Sequence, residues 1–232
     1  MKIDKFDNTK NLFFVSGMFA GGWIWQETHP NIPNAAHCFV MDDPLCKLGA
    51  SVDELSIKII EELEKINHPV TLVGNSLGSF ICLNIASQVP DKVDKVIISG
   101  SAGFGEVILP IKISNHNYYT VAQQFVELIT FDKKRRTEQV TQKLAESFKH
   151  YARNIVRLMR ESNQLRAENL LPKIQCPIYA IWGRDDIITP LAETLEVINH
   201  FNIQLTIINQ CGHSPMFEKP HEFAALVNYC LD

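Results

Sequence analysis

Six short runs of β-branched and aromatic residues recur along the chain, and each is followed by a turn signal and then by a helical pattern. The runs cover residues 12–16, 37–41, 70–74, 95–99, 178–182 and 204–208. Several are apolar on both faces, which is typical of strands covered by helices on each side. Apolar residues at helical spacing predict helices over residues 52–65, 76–89, 193–199 and 221–231. The alternation predicts an α/β fold, in which helices cover both faces of a mostly parallel sheet.

One long segment interrupts this alternation. Between residues 104 and 171 no strand pattern occurs, and three helical patterns follow one another over residues 118–129, 137–151 and 152–169. An insert between two strands of a parallel sheet lies above the carboxyl ends of the strands, where ligands bind in open α/β sheets. We therefore interpret residues 104–171 as a helical cap or lid, and residues 1–103 and 172–232 as the core. The charged run Lys-Lys-Arg-Arg at 133–136 is interpreted as a solvated helix entry.

The composition argues against several classes of protein. The 232 residues carry 22 basic and 26 acidic side chains, a net charge of −4, so we expect no nucleic-acid binding and no polybasic contact with a membrane. No apolar run approaches the length of a membrane-spanning helix, and the polar first ten residues are unlike a signal peptide, so we expect a cytoplasmic protein. The six cysteines are scattered without metal-site spacing, which predicts neither a metal centre nor a disulfide framework.

The most informative segment is the pentapeptide Gly-Asn-Ser-Leu-Gly at residues 74–78, between an apolar strand pattern and a helical pattern. A serine with a glycine two residues before it and two after it forms a nucleophile elbow, because the turn is too tight for side chains at the glycine positions and it exposes the hydroxyl. The hydroxyl also lies at a helix N-terminus, where free amides favour developing negative charge. Ser76 is therefore the candidate nucleophile, and the alternative is a plain helix cap. Ser101 lies in a similar segment that lacks the first glycine.

A serine hydroxyl needs a base to take its proton and a third group to orient that base. His213 lies just beyond a predicted strand, in the segment Cys-Gly-His-Ser-Pro, so its ring can lie at the carboxyl edge of the sheet; His116 and His221 are the alternatives. The acid is expected after another strand, where Asp185 and Asp186 are adjacent. Composition does not choose between these two carboxylates. The chain order serine, aspartate, histidine is that of catalytic triads built on such an elbow.

With these motifs the sequence resembles the α/β-hydrolase superfamily over nearly the whole chain. The resemblance rests on the elbow, on Trp-Gly-Arg-Asp-Asp-x-x-x-Pro at 182–190, and on Cys-Gly-His at 211–213 followed by Glu-x-Pro-x-Glu-Phe at 218–223. The last two look like those of carboxylesterases and of meta-cleavage-product hydrolases, which cleave carbon–carbon bonds. The resemblance implies that the acid is Asp186, four residues before the proline. It also implies an oxyanion hole formed by the backbone N–H groups of Met18 and Leu77.

Two segments depart from the family pattern. Ser16 stands where the family usually has histidine before the glycine of the first loop, here Gly17. Residues 42–49 lack the Asp-x-Pro-Gly-x-Gly-x-Ser sequence that many relatives carry. The first departure leaves the oxyanion hole in place, because its donor is a main-chain amide. The second weakens any transfer of substrate class from the family.

These residues together predict a serine hydrolase that acts on a small ester, thioester or lactone. Phe19, Trp25, Phe104 and Met216 are the candidate substrate-binding residues of a modest apolar pocket. We expect a small, apolar acyl substrate and a reaction that requires no metal and no cofactor. The alternatives are a carbon–carbon bond hydrolase or a lyase on the same triad, acyl transfer to an alcohol or amine, and a ligand receptor without catalysis. The sequence leaves open a homodimer formed through the lid.

Overall fold

The computed structural model describes residues 10–107 and 117–232, and a six-stranded sheet runs through this part of the chain. The strands are β1 (Asn11–Val15), β2 (His37–Val40), β3 (Val70–Asn75), β4 (Val93–Ser99), β5 (Ile178–Gly183) and β6 (Gln204–Ile208). Their order is β2-β1-β3-β4-β5-β6, and every neighbouring pair is parallel. The predicted α/β fold is confirmed, and β6 has the predicted bounds.

Eight α-helices lie within the described ranges. They are α1 (Leu45–Leu48), α2 (Val52–Leu63), α3 (Leu77–Gln88), α4 (Tyr118–Ile129), α5 (Glu138–Ser162), α6 (Leu191–His200), α7 (Pro215–Glu218) and α8 (Pro220–Leu231). Three begin at side-chain caps, where Ser51, Asn117 and Thr137 each accept a backbone N–H of the first turn. No helix in these ranges is both long and apolar enough to cross a bilayer.

The strands separate two apolar layers. Phe13 and Val15 of β1 belong to the layer that contains α2, α3 and the insert, whereas Leu12 and Phe14 face the layer that contains α8. Successive side chains of a strand point to opposite faces, so a strand covered on both sides is mostly apolar on both faces. This explains why the runs in the sequence do not alternate with polar residues.

The insert between β4 and β5 is built from α4 and the long α5. The sequence predicts two helices over 137–151 and 152–169, and α5 consists of two helical segments that meet at a kink at Tyr151 (φ −120°, ψ 19°). The second segment ends at Ser162, earlier than predicted. A buried stripe continues across the kink, from Leu144 and Phe148 to Ile155. Two short 3₁₀ turns, Ala167–Asn169 and Leu171–Lys173, complete the connection to β5.

The insert is fastened to the core by aromatic and charged contacts. Phe19 of the first loop packs between Phe125 of α4 (ring centroids 4.7 Å apart) and Phe148 of α5 (5.0 Å). Arg135 forms a two-pronged ion pair with Glu27 of the core. Within the charged run at 133–136, the two lysines are exposed as predicted, but both arginines are half-buried and hydrogen-bonded. The run is therefore only partly a solvated helix entry.

Candidate active site

Ser76 occupies a strained turn between β3 and α3. Its φ of 57° and ψ of −124° lie in a region that non-glycine residues rarely adopt. A Cβ at Gly74 would lie 2.5 Å from the Cα of Ser79, and a Cβ at Gly78 would clash with the carbonyl oxygen of Ser16. The Ser76 N–H donates to the carbonyl of Ser99 in β4 at 2.9 Å. The two glycines and this hydrogen bond fix the serine at the carboxyl end of β3.

His213 and Asp186 form a buried hydrogen-bonded pair. Nδ1 of His213 lies 2.8 Å from Oδ2 of Asp186, and the two side chains are 5% and 1% exposed. The other oxygen, Oδ1, accepts the N–H groups of Ile188 (2.9 Å) and Thr189 (3.0 Å), and Thr189 Oγ1 donates to Oδ2 at 2.8 Å. Because the carboxylate accepts, Nδ1 of the neutral ring carries the proton, which leaves Nε2 free to act as a base.

The end of β3 and the end of α4 hold the backbone of His213. The side-chain amide of Asn75 donates to the carbonyl of His213 at 3.0 Å, and the N–H of His213 donates to the carbonyl of Ile129 at 3.0 Å. Gly100, after β4, has a φ of +54°, and a Cβ there would lie 2.8 Å from two atoms of the imidazole. The ring is therefore packed against a position that only glycine fills without strain.

Ser76 and His213 line the same small cavity. Its volume is about 120 Å³, and its lining residues are Met18, Phe19, Ser76, Leu77, Ala102, Val107, Phe125, Met159, Ser162, Asn163, Ile188 and His213. Within the described ranges, the backbone N–H groups of Met18 and Leu77 form no hydrogen bond. Two unpaired amides beside a candidate nucleophile can receive a developing oxyanion. No Lys or Arg is among these described lining residues.

Comparison with known proteins places the chain in a family. Residues 12–226 match the pattern of the "Alpha/beta hydrolase family". The chain belongs to this family. Among curated relatives, this α/β hydrolase is 26% identical over 171 residues to a 2-hydroxy-6-oxo-6-phenylhexa-2,4-dienoate hydrolase of Comamonas testosteroni, covering 67% of this chain and 60% of the relative. The chain thus spans about 60% of the length of the first relatives it matches.

Solved structures show the same fold at low identity. A membrane phospholipase A described as a bacterial virulence factor superposes with a TM-score of 0.79 at 20% identity, over 97% of this chain and 79% of that one. A meta-cleavage product hydrolase of Pseudomonas fluorescens IP01 superposes with a TM-score of 0.73 at 17% identity, over 95% and 89%. These likenesses agree with the fold of the α/β hydrolase described here.

The structure brings some of the predicted site residues together and separates others. Phe19 lines the cavity. Trp25 and Met216 lie in the apolar layer on the opposite face, with α8, and Phe104 packs against Trp182 (ring centroids 6.1 Å apart) beside a separate surface groove. The loop after β1 leads into the 3₁₀ turn Gly22–Trp25, and Trp25 packs against Phe14 and Phe223. Trp25, Phe104 and Met216 are not among the described residues that line the cavity with Ser76.

Several residues around the site were not found from the sequence. Thr189 donates a hydrogen bond to Asp186, and Glu218 accepts the N–H of Gly212 in the histidine loop, the segment 211–214 around His213. Phe125 and Met159 of the insert line the cavity. Asp186 forms an Asx-turn, in which its Oδ1 accepts the N–H of Ile188 two residues on, so the loop that carries Thr189 was accessible to sequence reasoning. The insert residues were not, because their placement depends on how the insert docks.

The departure at Ser16 and the two adjacent carboxylates have structural explanations. Ser16 accepts the indole N–H of Trp25 at 2.9 Å, so it holds the first loop in place. Asp185 is exposed; its Oδ2 accepts the N–H of Cys211 at 3.3 Å, and only Asp186 reaches the imidazole. His221, named as an alternative base, is exposed on α8, and His116 lies outside the described residues.

The buried cysteines are unsuited to nucleophilic chemistry. Burial raises the pKa of the Cys46 thiol to about 12, and burial together with the Glu218 carboxylate raises that of Cys211. A thiol with a raised pKa stays protonated and unreactive near neutral pH. Among the described residues, no group of His, Cys, Asp and Glu side chains is arranged to hold a metal ion.

Proposed function

We propose that this chain is a serine hydrolase that cleaves a small carboxylic ester, thioester or lactone through an acyl-enzyme on Ser76. One observation carries the proposal. Ser76, which is strained at a strand-to-helix turn, lines the same cavity as His213. Nδ1 of His213 is hydrogen-bonded to the buried carboxylate of Asp186. Strain at such a turn is typical of a functional position, since the surrounding structure must enforce it.

In the proposed mechanism Oγ of Ser76 attacks the carbonyl carbon of the substrate while Nε2 of His213 takes the hydroxyl proton. Asp186 holds the imidazole tautomer and stabilises the imidazolium. The carbonyl oxygen becomes an oxyanion that accepts the N–H groups of Met18 and Leu77, each lowering the barrier by about 3 kcal/mol. The intermediate expels an alkoxide or thiolate, which His213 protonates. Water, deprotonated by His213, then attacks the acyl-enzyme and releases the acid.

The cavity supports a short, neutral acyl group. It is small, about 120 Å³, and most of its lining is apolar. The described lining supplies no cation to neutralise a carboxylate, and burying an unpaired charge is strongly unfavourable. We therefore propose esters of short-chain acids as substrates, in preference to substrates that carry a carboxylate on the acyl side.

A serine-directed fluorophosphonate tests the first step. We expect one adduct on the wild-type protein, located on the peptide that contains Ser76, and no adduct on Ser76→Ala. Ser101→Ala is the matched control, because Ser101 is also buried near the sheet edge but donates to the carbonyl of Ala102 and is outside the described lining. It should be labelled like the wild type. A wild-type protein that is folded and not labelled contradicts the proposal.

The relatives favour a second candidate, hydrolysis of a carbon–carbon bond in a dienoate by the same side chains. Curated proteins similar to this chain are dienoate hydrolases by name. Rates measured on a chromophoric dienol acid and on a panel of nitrophenyl esters separate the two. We expect the short esters to be turned over faster, whereas faster turnover of the dienol acid supports the second candidate. Tight binding of either compound without turnover supports a ligand receptor.

A further inference from the structure

Glu218 is a buried carboxylate next to the candidate base, and the proposed mechanism does not use it. It ends α7, and only 4% of its surface is exposed. Its Oε1 accepts the N–H of Gly212 at 2.7 Å, and its Oε2 accepts the N–H groups of Phe131 (2.7 Å) and Asp132 (2.8 Å). Three backbone donors are the partners that a buried carboxylate needs. The side chain is therefore fixed in one position.

The three donors come from two segments that are far apart in the sequence. Gly212 directly precedes His213, whereas the other two donors follow α4 in the insert. A further hydrogen bond joins the same segments, from the N–H of His213 to the carbonyl of Ile129 at 3.0 Å. A Cβ at Gly212 would lie 2.9 Å from that carbonyl oxygen and 3.0 Å from Oε1 of Glu218. The histidine loop and the insert are thus closely joined through this carboxylate.

We propose that Glu218 is a positioning residue that ties the backbone of His213 to the insert and so keeps the imidazole aligned with Ser76. The inference rests on the proposed function, in which His213 is the base. Loss of the carboxylate leaves three buried N–H groups without an acceptor, which is unfavourable and allows the loop to relax. A displacement of about 1 Å at a reacting group lowers a rate about 100-fold.

Glu218→Gln is the first test. Both carboxylate oxygens of Glu218 accept backbone N–H groups, and glutamine replaces one of these oxygens with an N–H₂ group that cannot accept them. The matched control is Glu222→Gln, four residues further on, where the side chain is exposed. With a short nitrophenyl ester at pH 8, we expect Glu218→Gln to lower kcat per folded molecule by about 10- to 100-fold with KM changed less than about threefold. Glu222→Gln should stay near wild type. A purely structural role would lower the folded fraction and leave kcat per folded molecule unchanged, which overturns the proposal.

Asp132→Pro isolates the contribution of the insert. Asp132 has a φ of −73°, which suits proline, and the proline ring replaces the N–H donated to Glu218 with a methylene group that cannot donate and that displaces the carboxylate oxygen. Asp132→Ala is its control, since both variants lose the side-chain cap on Lys134 but alanine keeps the N–H. We expect a lower kcat for the proline variant than for the alanine variant. Equal kcat values contradict coupling through the insert.

Hydrogen exchange separates this inference from the proposed function. We expect the backbone amides of Gly212 and His213 to exchange faster in Asp132→Pro than in Asp132→Ala. If the wild type is not labelled by the fluorophosphonate, the proposed function fails, and these exchange rates alone decide whether the insert holds the histidine loop. Equal exchange rates in the two variants overturn the inference whatever the labelling result.

Discussion

Replacing Gly100 with alanine places a methyl group against the imidazole of His213. Gly100 has a φ of +54°, so any side chain there carries the strain of the left-handed region, about 1–2 kcal/mol. The new Cβ would lie 2.8 Å from both Cε1 and Nδ1 of the ring. This is about 0.6 Å short of an ordinary contact near 3.4 Å, so the ring must move by that amount.

The displacement sets the size of the expected effect. If a shift of about 1 Å lowers a rate about 100-fold, a shift of about 0.6 Å lowers it roughly fifteenfold. Gly103→Ala is the matched control. Its φ is +84° and its Cβ would lie 2.7 Å from the ring of Phe80, so it carries similar strain away from the imidazole. Both variants should lose stability, and Gly100→Ala alone should lose most of its activity.

The assay compares kcat/KM for a short nitrophenyl ester per folded molecule, with the folded fraction taken from circular dichroism. Nitrogen-15 NMR of the histidine ring reports whether the Nδ1 proton still bonds to Asp186. Equal kcat/KM values for the two folded variants would refute the argument that the ring position controls the rate.

Three further predictions follow from the contacts around the site. Thr189→Val removes the O–H donated to Asp186 at 2.8 Å but keeps the backbone donor, and urea denaturation should show a loss of about 1.5–3 kcal/mol. Trp25→Phe removes the indole donor to Ser16, so the melting temperature should fall while KM stays unchanged; a large rise in KM contradicts its placement outside the cavity. Burial raises the pKa of Glu218, so the folded state binds more protons than the unfolded state from pH 4.5 up to that raised pKa. This group's contribution to the free energy of unfolding must therefore fall as pH rises through that window, and urea titrations should show that Glu218→Gln lacks this fall.

Sequence patterns were sufficient for the sheet and for the order of the site residues. The run Gln204–Ile208 is rich in β-branched residues and is followed by turn residues, so β6 could be bounded to the residue. The elbow was also visible, because a strand, two glycines and a helix around Ser76 are local features. Asp186 could be chosen over Asp185 only through the family resemblance, and the structure places only Asp186 against the imidazole.

The rest depended on packing between distant segments. The kink of α5 at Tyr151 lies at the boundary predicted between two helices, but the second segment ends at Ser162 and not at residue 169. Trp25 was expected to line the pocket, but its indole hydrogen-bonds to Ser16 and packs in the apolar layer on the opposite face of the sheet. Glu218 was visible as part of a motif, but its three donors come from two segments that meet only in the folded protein.

The most direct test of the account is acid-quench mass spectrometry during turnover of a short nitrophenyl ester. The account predicts a transient mass increase equal to one acyl group on the peptide that contains Ser76. The adduct should be absent from Ser76→Ala and present in Ser101→Ala. Sustained ester hydrolysis by Ser76→Ala at the wild-type rate, with no acyl adduct on the wild type, would contradict it.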